Sequence, residues 1–318
     1  MAEVMKVYAS LHAHSTHSDG VYTPAELARV AKDEGYSAMA LTDHDTVTGN
    51  ADMKRECEAL GLECIFGIEF STQLKGNADR SFHMTAFHFD SEYPEMKEYL
   101  VKLSERETDQ TKTLFERGID IGYIKGITWE EVLEYNKGIS WLCNEHVFRA
   151  MKAKGLITDL DYPEFFNTCF GKYRSTVPPK HGFMDVEELI PLVHKAGGII
   201  CLAHPHGQLP CVEYLAGLGL DGVEVWHSML DAEERREALR VAEKYDLYVS
   251  GGADHEGLLG GEYGRYEHPE ETAFWFPPLT LGTTRFFFEE IRDMKKNPER
   301  CKVLRNMIED GSLWERTK

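Results

Sequence analysis

Seven short apolar runs, at residues 7–11, 38–41, 63–68, 84–89, 198–203, 222–226 and 247–251, are separated by segments that can carry helices. This alternation restricts the fold more than any other feature, because parallel strands need long crossovers and a crossover is usually a helix. Between the first two runs lies TPAELARVAKDEGY. There Thr23 reads as an N-cap, Pro24 as the first helical residue, Leu27, Val30 and Ala31 as an inward face, and Gly35 as the stop. DVEELIPLVHKAGG repeats this grammar, with Asp185 as cap, Leu189, Leu192 and Val193 inward, and Gly197 and Gly198 ending the helix before IICLA. The expected product is a βα barrel. Residues 91–182 break the rhythm with amphipathic helices such as ITWEEVLEYN and NEHVFRAMKAKG and no strand between them, so a helical insertion after the fourth strand is expected. The barrel would then take residues 1–90 and 183–318, with C-terminal helices covering it, and residues 91–182 would cap its mouth.

Metal-binding residue types fall at the ends of these runs. His12 and His14 follow the first, His44 the second, Glu69 the third, His204 the fifth and Asp254 the seventh, while His83 precedes the fourth. In parallel α/β folds the carboxyl ends of the strands share one face, so residues remote in sequence converge there. In an extended segment, residues two apart point the same way, so His12 and His14 can grip one ion. A lone H-x-H is weak evidence, and a turn capping the next helix would explain Asp43 and Asp45 in TDHDT. The coincidence of five or six strand ends points instead to one polynuclear centre.

At 318 residues, the chain can form one large α/β domain or two smaller ones. With 42% hydrophobic and 28% charged residues it is an ordinary globular chain. There is no basic n-region with an apolar stretch and no window of about 20 apolar residues, so a cytoplasmic protein without membrane contact is expected. The seven scattered cysteines show no C-x-x-C spacing, and neither a disulfide framework nor a zinc knot is indicated. The net charge of −19, from 35 Lys+Arg against 54 Asp+Glu, argues against stable nucleic-acid binding. Bound cations could still let an acidic chain hold a phosphate.

Taken together, H-x-H-x-x-x-x-D-G, T-D-H, G-I-E, a following histidine, A-H-P and a late G-x-D resemble the PHP (polymerase and histidinol phosphatase) family over roughly residues 7–257. NEHVFRAMKAKG is similar to the R-x-H-x-A-R-A-L-x-x-x-G helix of the small-molecule phosphatase branch, which holds nucleotide and nucleoside bisphosphate phosphatases. GKYRSTVPP and ELIPLVHKAGGIICLAHP resemble the segments C-terminal to that helix in the same branch. The resemblance implies a distorted (β/α)7 barrel with a helical insertion, and about three divalent ions per chain. One ion would take His12, His14, Glu69 and Asp254. A second would take Asp19, His44 and a residue of the 254–256 run, and a third would share Glu69 with His83 and His204. Such mixed ligands suit manganese, iron or zinc.

Two departures stand out. The usual Asp-x-His is Asp254-His255-Glu256 here, leaving either Glu256 or His255 to close the second shell, and Asn144 stands where arginine is usual. The match to the branch helix marks Arg149, with His146 and Asn144, as a candidate substrate contact; Lys172 and Arg174 of the insertion and His17 beside the ligands are further candidates, and His206, two residues after His204, is a candidate general acid. His88, His181, His194, His227 and His268 read as ordinary surface or core histidines.

The implied chemistry is hydrolysis of a small phosphorylated metabolite, a sugar phosphate or nucleotide, as a monoester or a cyclic phosphodiester. A hydroxide bridging two metals would attack phosphorus and release phosphate. The alternatives are an exonuclease of the same family, a metal-dependent amidohydrolase, which also begins with H-x-H, and a non-catalytic metal-binding domain.

Overall fold

The computed structural model describes residues 7–254 and 281–310. Eight strands, β1 (Val7–Ser10), β2 (Ala38–Leu41), β3 (Glu63–Leu74), β4 (Asn77–Phe87), β5 (Ile199–Leu202), β6 (Gly222–Trp226), β7 (Tyr248–Gly251) and β8 (Thr283–Thr284), form one sheet in the order β7-β6-β5-β4-β3-β2-β1-β8. Every residue of β2, β5, β6 and β7 is buried, which is why these strands read as unbroken apolar runs: helices cover one face and the barrel interior the other. The sheet curls until the Leu11 amide donates to the Gly251 carbonyl at 3.0 Å, joining the ends of β1 and β7 and nearly closing the barrel.

The first helix, α1 (Pro24–Asp33), starts as its sequence prescribes. Thr23 Oγ1 accepts the Glu26 amide at 3.3 Å while Glu26 accepts the Thr23 amide at 2.9 Å, and Gly35 follows at φ +89°. α2 (Asn50–Leu60) links β2 to β3. Asp185 stands at the N-cap of α7 (Val186–Lys195) but makes no cap bond; its carboxylate accepts Gln73 Nε2 at 3.0 Å and ties the helix to β3.

Two strands depart from the expected parallel alternation: the short β8, which no apolar run announces and which is antiparallel to β1, and β4. β3 and β4 run longer than the apolar runs at 63–68 and 84–89 and form a hairpin through Lys75 and Gly76, so β4 is antiparallel to both β3 and β5. Because β4 runs backwards, its beginning rather than its end lies at the carboxyl ends of its neighbours. This reversal puts His83, which precedes the apolar run, on the face reached by Glu69 and His204.

Between β4 and α7 the chain forms α3 (Pro94–Asp120), α4 (Trp129–Tyr135), α5 (Asn144–Ala153) and α6 (Tyr162–Cys169). The start of α3 packs into the barrel core through Met96, Tyr99 and Leu103. Its far half joins a separate apolar cluster with Trp129, Phe148 and Phe165, so a single helix carries the segment away from the barrel. α8 (Val212–Gly217) and α9 (Ala232–Lys244) complete the crossovers, and helices at Arg285–Arg292 and Arg300–Asp310 follow β8. No helix among the described residues is long and apolar enough to cross a membrane.

Candidate metal centre and cleft

At the carboxyl face, donor atoms of His12, His14, Glu69 and Asp254 lie within 4.8 Å of one another. His12 Nε2 is 3.2 Å from Glu69 and 3.3 Å from Asp254, and His14 Nε2 is 3.3 Å from Glu69 and 2.8 Å from Asp254. Three further sets of donors adjoin it, His14 with Asp19 and His44, His44 with Glu69 and His83, and His12 with Glu224 and His227. His204 Nε2 closes on Glu69 at 3.0 Å and on His83 Nδ1 at 3.2 Å. Thus the eight described residues expected as ligands meet around Glu69, while His255 and Glu256 lie outside the described residues. His12 Nε2, His14 Nδ1, His44 Nδ1 and Glu69 Oε2 are buried yet have no hydrogen-bond partner. Orphaned buried donor atoms on a mixed imidazole and carboxylate set fit divalent cations of the manganese, iron or zinc type.

The backbone around these side chains is unusual. His204 at φ +26° and Asp254 at φ +53° occupy left-handed conformations, which residues other than glycine adopt uncommonly. Two glycines allow the chain to fold this tightly. A Cβ on Gly20 would lie 2.4 Å from the His14 carbonyl oxygen, and one on Gly252 would lie 2.4 Å from the His12 backbone nitrogen. Asp43 anchors the intervening loop by accepting the Ser15 amide at 2.6 Å, Ser15 Oγ at 2.8 Å and Ser18 Oγ at 2.7 Å. Its role is therefore loop fixation; Gly49, not an aspartate, caps α2. Asp45 accepts the Ser71 amide at 2.8 Å, and burial pushes its carboxyl up to about 7.

Burial opposes charge on His12 and His44, but carboxylates outweigh it: Glu69, Asp254 and Glu224 around His12, Glu69 and Asp19 around His44. Both imidazoles are held well above their ordinary value. Burial would likewise raise Glu69 and Asp254, yet the facing histidines hold both well below the usual carboxylate range. Cations entering this cluster must displace protons from His12 and His44. Their affinity should therefore climb with pH through the raised imidazole range, by about tenfold per pH unit for each proton released, and weaken on acidification. Calorimetric Mn²⁺ titration in buffers of unlike ionisation enthalpy checks this; a pH-independent affinity without proton release would contradict it.

A cleft of about 360 Å³ opens beside the cluster, lined by Asp19, His44 and His83 on the barrel side and by Trp141, Asn144 and Arg174 from the helical segment. Arg174 is ion-paired with Glu107 there. Asn144 donates to Glu145 at 2.6 Å and to the Tyr162 hydroxyl at 2.9 Å, and His146 is buried with Nδ1 accepting the Cys143 amide at 3.0 Å. Other expected contacts are placed elsewhere. Arg149 is spent on backbone carbonyls, donating to Gly20, to Thr16 at 3.2 Å and to Ser18 at 2.9 Å, so it clamps the metal loop and is not free for phosphate. Lys172 is exposed, 5.3 Å from the Tyr173 ring centroid. His17 pairs with Thr48 at 2.9 Å, and His206, with its side chain 58% exposed, pairs with Glu234 at 2.8 Å; neither lines the cleft.

Two residues of this region escape a reading of the sequence. Glu224, inside β6, is buried against His12 Nδ1 at 3.1 Å. His227, which reads as an ordinary histidine, is buried with Nε2 3.3 Å from Asp254. The signal is present in GVEVWH, where a glutamate interrupts an otherwise apolar buried strand.

The PHP domain profile matches residues 10–188. A 5'-3' exoribonuclease of Haemophilus influenzae is 30% identical over 255 residues, 77% of this chain and 88% of the relative. A phosphoribosyl 1,2-cyclic phosphate 1,2-diphosphodiesterase of Eggerthella lenta is 26% identical over 253 residues, 79% of this chain and 94% of the relative. Among solved structures, a protein of Bifidobacterium adolescentis described as a putative metal-dependent phosphoesterase superposes with a TM-score of 0.70 at 26% identity, covering 92% of this chain and 98% of that one.

Proposed function

Because this chain belongs to the PHP domain family and is a metal-dependent hydrolase of phosphoric esters, we propose that its substrate is a small phosphorylated metabolite, a sugar phosphate or a nucleotide, held as a monoester or a cyclic diester. The observation that carries this reading is the adjacency of the Glu69 cluster to a cleft of about 360 Å³ roofed by helices, room for a compact ligand. His12, His14, Glu69 and Asp254 would hold one ion, Asp19 and His44 a second, and His83 and His204 with Glu69 a third. Bound there, divalent cations would lower the pKa of water near phosphorus and neutralise the charge of the phosphoryl oxygens. Arg174, which lines the cleft and pairs with Glu107, would bind an anionic group of the substrate, with Trp141 as an apolar wall.

Attack on RNA from its 5' end is the second reading, favoured by the Haemophilus relative. A chain of net charge −19 is poorly suited to tracking a phosphate backbone, which is why the small substrate is preferred. Hydrolysis of sugar phosphates, nucleotides, cyclic phosphates and a 5'-phosphorylated oligoribonucleotide, each with Mn²⁺ and read by chromatography of the products (inorganic phosphate, ring-opened monoester or 5'-mononucleotide), separates the two. Turnover of a small ester at higher kcat/KM than the oligonucleotide is expected. A preference for the oligonucleotide would establish the second reading, and no turnover of any member would overturn both.

A further inference from the structure

We infer that Glu224 and His227 are positioning residues that hold His12, His204 and Asp254 in their metal-binding poses without touching the ions themselves; the inference rests on the reading of this cluster as a metal centre.

The ring of His227 settles its own role. The Met229 amide donates to Nδ1 at 3.1 Å, so Nδ1 must present its lone pair. A neutral imidazole has a single ring N–H, and here it must sit on Nε2. That nitrogen is buried and faces Asp254 Oδ2 at 3.3 Å; to ligate a cation as a neutral ring it would have to pass its hydrogen to Nδ1 and give up the Met229 bond, whereas directing that hydrogen to Asp254 keeps it. His227 therefore steadies one carboxylate oxygen of Asp254 and leaves the other, Oδ1, 2.8 Å from His14 and 3.3 Å from His12. The pose is held from behind: the buried Arg235 of α9 donates to the His227 carbonyl at 3.0 Å.

Glu224 works on two partners at once. Its oxygens lie 3.2 and 3.1 Å from His12 Nδ1, so the ring hydrogen is drawn to that side and Nε2 is left for the cluster. Oε2 also accepts the His204 amide at 2.7 Å, which pins the strained backbone that aims His204 at Glu69. A single carboxylate, 1% exposed and inside a strand, thus sets the direction of donors from β1 and β5.

The test is Mn²⁺ binding to the full chain, with affinity from calorimetry and stoichiometry from elemental analysis, on Glu224→Ala, His227→Phe and His227→Gln. Wild-type stoichiometry at saturation with affinity weakened about 10- to 100-fold is expected for the first two. His227→Gln should stay within a few-fold of wild type, because an amide N–H can replace a donor but is a poor substitute for a ligating imidazole. Unchanged affinity in both Glu224→Ala and His227→Phe would overturn the inference. Loss of one ion equivalent in His227→Phe without rescue by glutamine would also overturn it and make His227 a ligand. If circular dichroism shows that Glu224→Ala does not fold, Glu224→Gln is measured in its place. Its one amide oxygen can still accept from both groups, as Oε2 does, but the negative charge that makes His12 a stronger ligand is gone, so weaker binding is still expected and wild-type affinity would overturn the role. A wild-type chain that binds no Mn²⁺ at all would instead remove the metal reading on which the inference rests.

Discussion

Replacing Glu69 by alanine should lower phosphate release by at least about 10³-fold. Glu69 is fully buried, and its two oxygens lie 3.0–3.3 Å from His12, His14, His44, His83 and His204. Among the described residues no other side chain in the cluster reaches so many candidate ligands, so its loss removes a carboxylate that every proposed ion would share or adjoin. It also leaves several imidazoles in a buried cavity without their central counter-charge, which should weaken the metal-free fold. Glu69→Gln keeps the volume and removes the charge, separating the two contributions. Activity and bound metal should fall together in both variants. Turnover within tenfold of wild type in either would sink the placement of the centre.

The second large effect is expected from Arg149→Ala, and its signature differs. The guanidinium satisfies carbonyls of Thr16, Ser18 and Gly20, the loop that carries Asp19. Removing it strands buried acceptors, each costing about 1–3 kcal/mol, so a loss of about 3 kcal/mol in stability and a clear fall in Tm are expected. Catalysis should drop through misplacement of Asp19, with kcat affected more than KM. Had Arg149 bound substrate phosphate, the variant would show a raised KM at unchanged Tm. Thermal denaturation beside steady-state kinetics distinguishes the outcomes.

The contrast between Arg149 and Glu69 shows where sequence reasoning succeeds. Glu69 is legible because it terminates an apolar run among other strand ends rich in His and Asp, and the geometry of parallel strands brings such ends together whatever the details. Arg149 is legible as a functional position but not in its partner, since a helix residue reveals its spacing and not which distant loop its head group meets. The direction of β4 is hidden for a related reason. Its first residues, Asn77, Arg80 and Ser81, are polar and exposed, so the hairpin lacks the apolar signature by which a strand is recognised.

By itself, then, the sequence determined the alternation of strands and helices, the cap at Thr23, the helical character of residues 91–182 and the identity of the donors around Glu69. All of these depend on local patterning and on the convergence of strand ends. Only the tertiary structure decided that β4 runs backwards, that Arg149 clamps a loop, and that Glu224 and His227 stand behind His12 and Asp254. His12 and Glu224 are 212 positions apart. A buried polar side chain announces that it needs a partner, but which partner satisfies it depends on how the barrel closes.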